Sequence, residues 1–124
     1  MSRVFKTRHF SRWMRKTELT DKALCKAVKE MSDGLIDADL SGGIVKKRVG
    51  VAGKGKRGGV RTIVATNRGN RWFFVYGFEK NTRSNITTKE KEALQYLAED
   101  LLGLSTELLN AAVEDKTLEE IDYE

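Results

Sequence analysis

One short run constrains this chain more than any other. Trp72-Phe73-Phe74-Val75-Tyr76 places an aromatic or branched apolar side chain at every successive position. Strand side chains alternate between the two faces of a sheet, so the run is apolar on both faces. That pattern predicts a central strand over Arg71 to Phe78. Two further segments rich in Val, Ile and Thr precede it, Ile44 to Val51 and Val60 to Thr66. The turn residues Asn67-Arg68-Gly69-Asn70 join the second of these to the third and predict an antiparallel hairpin.

Helical periodicity flanks the strands. Residues 3–5 are read as a short strand. From Thr7 to Lys16, Phe10, Trp13 and Met14 recur at spacings of three and four, which predicts an amphipathic helix. Thr20-Asp21 caps a second helix reaching Met31, with Ala23, Leu24, Ala27 and Val28 on one stripe, and Asp33-Gly34 stops it. Asp37 to Gly43 reads as a loop. Thr88 begins a helix to Leu102, capped by Thr87 or Thr88, with Glu90 near its positive end and Gly103 at its stop. Ser105 to Ala112 reads as one more short helix. Asp115 to Glu124 is acidic and is expected to be loosely ordered. The layout is α+β: two N-terminal helices, an antiparallel sheet, then a C-terminal helix. The expected organisation is one domain over 1–103 and an acidic helix and tail over 104–124.

Charge is distributed unevenly. Residues 1–87 hold 20 Lys/Arg against 7 Asp/Glu, a balance of +13, and 88–124 hold 3 against 11, a balance of −8. Between 46 and 83 there are 11 basic residues and a single acid, Glu79. A surface kept basic for solubility intersperses acids, whereas a body without them attracts phosphate backbones. The acidic end could fold over that basic body or could be a solvated end. Cys25 is the only cysteine, which rules out an internal disulfide and fits a reducing compartment. No apolar run reaches membrane-spanning length, and Met1 to Phe5 lacks the apolar stretch of a secretory signal. A cytoplasmic location is expected, with no membrane partner.

Gly53-Lys54-Gly55-Lys56-Arg57-Gly58-Gly59-Val60-Arg61 is the least ordinary segment. It contains G-x-G-x-x-G by spacing, but a strand follows it where a dinucleotide fold requires a helix. The chain is also too short for a kinase and lacks the other kinase motifs. Glycines let backbone approach a ligand closely, and Arg offers a planar fork to phosphate oxygens. A flexible basic hairpin loop without chemistry would carry the same residues. A second basic cluster, Lys80-Asn81-Thr82-Arg83, follows the third strand and can lie across the sheet near Arg61. Tyr76 and Phe78 are candidates for stacking on bases, although aromatic residues in a central strand also serve as core.

These two segments resemble a known family. Gly53 to Ile63 is similar to the glycine- and lysine-rich entry to a strand in RelE/HigB-type toxins. Tyr76-Gly77-Phe78-Glu79-Lys80-Asn81-Thr82-Arg83-Ser84-Asn85-Ile86 resembles that family's Y-G-x(n)-K-N-x-x-S-[D/N]-[L/I] segment. The order of elements is similar from Arg3 to Leu102. The resemblance implies a RelE-like fold and a toxin of a type II toxin–antitoxin module that cuts messenger RNA on the ribosome. It also implies a cognate antitoxin, usually a helix–turn–helix protein, through which alone operator DNA would be met. It places Lys54, Lys56 and Arg57 in the basic loop, Arg61 on the phosphate-contacting strand, and Lys80 and Arg83 in the second cationic segment. Some members carry an arginine where this chain has Asn81 and a tyrosine near Thr87, so the proton-transfer group stays open.

The implied reaction is attack of a ribose 2′-OH on the adjacent phosphate, which needs a base, cations for the phosphorane charge and an acid for the leaving oxygen. His9 is the only histidine, which excludes a two-histidine nuclease. No acidic cluster sits in the basic region, so no metal or other cofactor is expected. Neighbouring cations lower a lysine pKa, which makes Lys54 or Lys56 the candidate base, beside Arg57. Arg61 and Arg83 are the candidate phosphate stabilisers. Lys46, Arg48, Tyr76, Lys80 and Asn81 are the candidate RNA-binding residues. Two alternatives remain: a gyrase-targeting toxin of the same superfamily, and a non-catalytic RNA-binding module.

Overall fold

The computed structural model describes residues 2–51 and 55–123, and of 55–57 the backbone alone. Its elements in chain order are β1 (Arg3–Thr7), α1 (Arg8–Met14), α2 (Asp21–Ser32), β2 (Ala38–Ser41), β3 (Ile44–Val51), β4 (Gly55–Thr66), β5 (Arg71–Glu79), α3 (Thr88–Leu102), α4 (Thr106–Glu114) and β6 (Leu118–Ile121). The strands form a single sheet in the order β2-β3-β4-β5-β1-β6. All neighbours run antiparallel except β1 and β5, which are parallel. The expected α+β class and the hairpin of β4 and β5 are therefore present. Asn67 shapes the turn by accepting from the Gly69 and Arg71 amides at 2.9 and 3.2 Å.

The twin-faced character of β5 has a direct cause. Trp72 and Phe74 enter one core with Phe10, Leu24, Val28 and Met31 of α1 and α2. Phe73 and Val75 enter a second core with Leu94, Ala98 and Leu101 of α3 and Leu109 of α4. All four of these β5 side chains are buried, so the strand needs a helical layer on each face. Each helix starts on a side-chain cap: Thr7, Thr20, Thr87 and Ser105 accept from backbone amides three residues on.

Three readings are corrected. Residues 38–41 form strand β2, not loop. Gly42 and Gly43, at φ +65° and +85°, turn the chain straight into β3 as a two-residue hairpin. β4 begins at Gly55, ahead of the expected Val60. The acidic end is ordered where Leu118–Ile121 pairs with β1. Its outward glutamates do not reach over the β3–β4 surface. Glu120 pairs with Arg3 at 2.9 Å, and Glu119 with Lys6 at 3.4 Å, at the opposite margin of the sheet.

Candidate nucleic-acid interface

The cations of the middle strands divide by alternation. Ile44 of β3 and Ile63 and Ala65 of β4 pack in the α3 core. Two-residue periodicity therefore brings Lys46, Arg48 and Arg61 to that same face. Lys47 turns the other way, is 4% exposed, and donates to Glu30 at 2.9 Å and to the Leu35 carbonyl at 2.8 Å. It is a buried structural ion pair and not part of a basic surface.

A β-bulge sets the face of the aromatic residues. Ile63 opposes Tyr76, but Val64 opposes Phe74, so Val75 is an extra residue in β5. Val75 and Tyr76 consequently both lie against the α3 core. Gly77 turns to the opposite face, where a Cβ would stand 2.2 Å from the Trp13 ring. Phe78 then returns to the α3 face beside Tyr76, with ring centroids 6.4 Å apart. The register aligns Arg48, Arg61 and Phe78 across three strands.

Arg83 reaches this row from the turn after β5. The amides of Thr82 and Arg83 donate back to the Glu79 carbonyl, and the Arg83 guanidinium comes to lie 5.8 Å from the Phe78 ring centroid. Its Nη1 and Nη2 grip Glu90 at 2.9 and 2.5 Å, Nη1 also donates to the Tyr76 hydroxyl at 3.0 Å, and Nε donates to the Asn85 carbonyl at 3.1 Å. The Tyr76 hydroxyl donates to Glu90 at 3.2 Å. The bonds from Arg83, followed by that from the Thr87 amide, hold the Glu90 carboxyl down at about 2. Burial, then the Glu90 charge, pushes the Tyr76 phenol up. His9, at the start of α1, stacks on Tyr76 at 5.6 Å and 5°.

Arg61 contrasts with Arg83. Its Nη1 is buried and has no hydrogen-bond partner among the described residues. Arg48 is matched by Asp37, which accepts from its backbone amide and from its Nε at 3.4 Å. Lys80 and Asn81 stand exposed at the turn after β5. Lys54 lies outside the described residues, as do the side chains of Lys56 and Arg57, whose backbone belongs to β4. The structure thus brings Lys46, Arg48, Arg61, Tyr76 and Arg83 to one face. Sequence reasoning missed Glu90 as a partner of Arg83, because its place three residues after Thr87 is already explained by helix capping. It also missed the contact of His9 with Tyr76, which no local pattern signals. Among the described residues no group of three His, Cys, Asp or Glu side chains is placed to hold a metal, and no helix is long and apolar enough to cross a membrane.

These features define a small α+β protein whose central strands carry a cationic, aromatic face beside the start of a helix. The chain belongs to the RelE toxin family: the family model described as RelE toxin of the RelE/RelB toxin–antitoxin system matches residues 2–121. Comparison with curated proteins finds none that matches. The protein is accordingly a toxin of a toxin–antitoxin system, and the family implies a cognate antitoxin as partner.

Proposed function

We propose that this toxin is a metal-independent endoribonuclease that cuts messenger RNA on the ribosome, by attack of a ribose 2′-OH on the adjacent phosphate. The observation that carries the reading is Arg61 Nη1, which has no partner among the described residues, on the same face as Arg83. A buried N–H without a partner costs free energy that an arriving acceptor recovers. A phosphodiester oxygen is an acceptor that a guanidinium suits. In this reading Arg61 and Arg83 stabilise the phosphorane charge, Lys54 or Lys56 takes the 2′-OH proton with Arg57 beside it, and the P–O5′ bond breaks to leave a 2′,3′-cyclic phosphate and a 5′-hydroxyl that draws its proton from water. Lys46, Arg48, Tyr76, Lys80 and Asn81 hold the flanking nucleotides. The antitoxin is a helix–turn–helix protein that carries the complex to operator DNA, and the toxin acts in the cytoplasm.

The test is controlled expression of the toxin without its antitoxin, with mapping of transcript 5′ ends. Codon-phased cuts that vanish in Arg61→Ala, with the melting temperature kept, are the expected result. Intact transcripts with growth arrest and altered plasmid supercoiling would point to gyrase and refute the nuclease. Intact transcripts bound by the protein would leave an RNA-binding module.

A further inference from the structure

The Glu90 carboxylate is more heavily engaged than a helix cap requires. A capping box asks one bond of the acid three residues into the helix, and the Thr87 amide supplies it at 2.7 Å to Oε1. Oε1 also accepts from Arg83 Nη2, while Oε2 accepts from Arg83 Nη1 and from the Tyr76 hydroxyl. Both oxygens are therefore filled. On the other side, four of the five N–H donors of Arg83 are committed to Glu90, Tyr76 and Asn85. One N–H of Nη2 is left.

We propose that Glu90 is a positioning residue for Arg83: it clamps the guanidinium across Phe78, in line with Arg61, so that one fixed N–H and the charge meet the scissile phosphate. This inference rests on the nuclease reading. A long arginine on a loop samples many rotamers, and a phosphorane is stabilised only by donors already in place. The clamp supplies that placement from a rigid element, because Glu90 is anchored by the first turn of α3. Tyr76 is the third point of the clamp. Its side chain is fixed in turn by the His9 ring stacked on it.

Glu90→Gln tests the clamp while sparing the fold, since Gln also completes a capping box but offers Arg83 one acceptor oxygen in place of two. Single-turnover cleavage of ribosome-bound messenger RNA should slow at least about 10-fold. Affinity for a messenger carrying 2′-deoxyribose at the cleaved nucleotide should change less than about 3-fold, because the net positive face remains. Arg83→Ala should be slow, and Arg83→Ala/Glu90→Gln no slower than Arg83→Ala alone. A Glu90→Gln variant as fast as wild type, or faster, overturns the proposal, as does an equal slowing in the Arg83→Ala background. Loss of affinity in proportion to rate overturns it too. Should Glu90→Gln fail to fold, the Arg83 side-chain NMR signals of the wild type decide: slowed guanidinium rotation is expected, and free rotation refutes the clamp. Cleavage unimpaired in both Arg61→Ala and Arg83→Ala is a failure of the nuclease reading itself, whereas impaired arginine variants beside an unimpaired Glu90→Gln sink only the clamp.

Discussion

Gly77→Ala probes the geometry that gives the site its face. A methyl carbon at Gly77 would lie 2.2, 2.6 and 2.6 Å from three Trp13 ring atoms. Carbon atoms settle at no less than about 3.5 Å, so the ring must retreat by about 1.3 Å. Trp13 is half-buried, and its retreat is blocked on the inner side by Phe10, 5.4 Å away in the core beneath α1 and α2. Overpacking of this kind costs about 1–3 kcal/mol. At about 2 kcal/mol the melting temperature of a domain this size falls by about 6–10 °C. Calorimetry or urea unfolding reads it directly. The same substitution in a Trp13→Ala background removes the obstacle, so the cost of Gly77→Ala should largely vanish there. A Gly77→Ala protein melting within about 1 °C of wild type, or an equal loss in both backgrounds, would refute the assignment of Gly77 to the Trp13 face and with it the bulge that turns Tyr76 and Phe78 toward α3.

Two further outcomes follow from the ion pairs. Lys47→Met strips the ammonium from a buried pair with Glu30 and should cost about 3 kcal/mol in urea unfolding; because Lys47 faces α2, messenger cleavage per folded molecule should be unchanged, and reduced cleavage would contradict that placement. The Glu90 carboxyl is depressed to about 2 by Arg83 and Thr87, so its contribution to stability is complete above its ordinary range and is lost as pH falls through that range toward 2. The gap in melting temperature between wild type and Glu90→Gln should therefore narrow between pH 5 and pH 2.5; a gap that is constant or widens would count against the pairing.

Much of the architecture was legible because its signals are local. The apolar run 72–76, the Asn67–Asn70 turn and the capped helices α2 and α3 each announce themselves within a few residues. β2 was less visible. Ala38–Ser41 carries little apolar content, and its real marker is the Gly42-Gly43 pair that permits two successive positive φ angles. β6 was invisible for a different reason. Its Leu118 and Ile121 are spaced by two glutamates, and its partner β1 lies more than a hundred residues away. At the site, the cations Arg61 and Arg83 were identifiable by type, but their common face depends on a bulge that residue counting does not reveal. Simple alternation groups Tyr76 and Phe78 with Trp72 and Phe74, on the wrong side. Lys47 is the opposite case: it sits in a basic run, yet plain alternation with Val45 and Val49 turns it to the buried face.

The irregularity at Val75 has a consequence for how sequences of this length class can vary. Val75 is the one position of β5 that stands outside the two-step count, so its excision would leave Tyr76, Gly77 and Phe78 with their present orientations. A one-residue insertion or deletion in the strand outside the Val75–Tyr76 pair would invert every side chain beyond it, driving Phe78 toward Trp13 and bringing a glycine to the face proposed to meet RNA. Tolerance to length change in this strand is thus confined to a single peptide unit, adjoining the residues on which activity is proposed to depend.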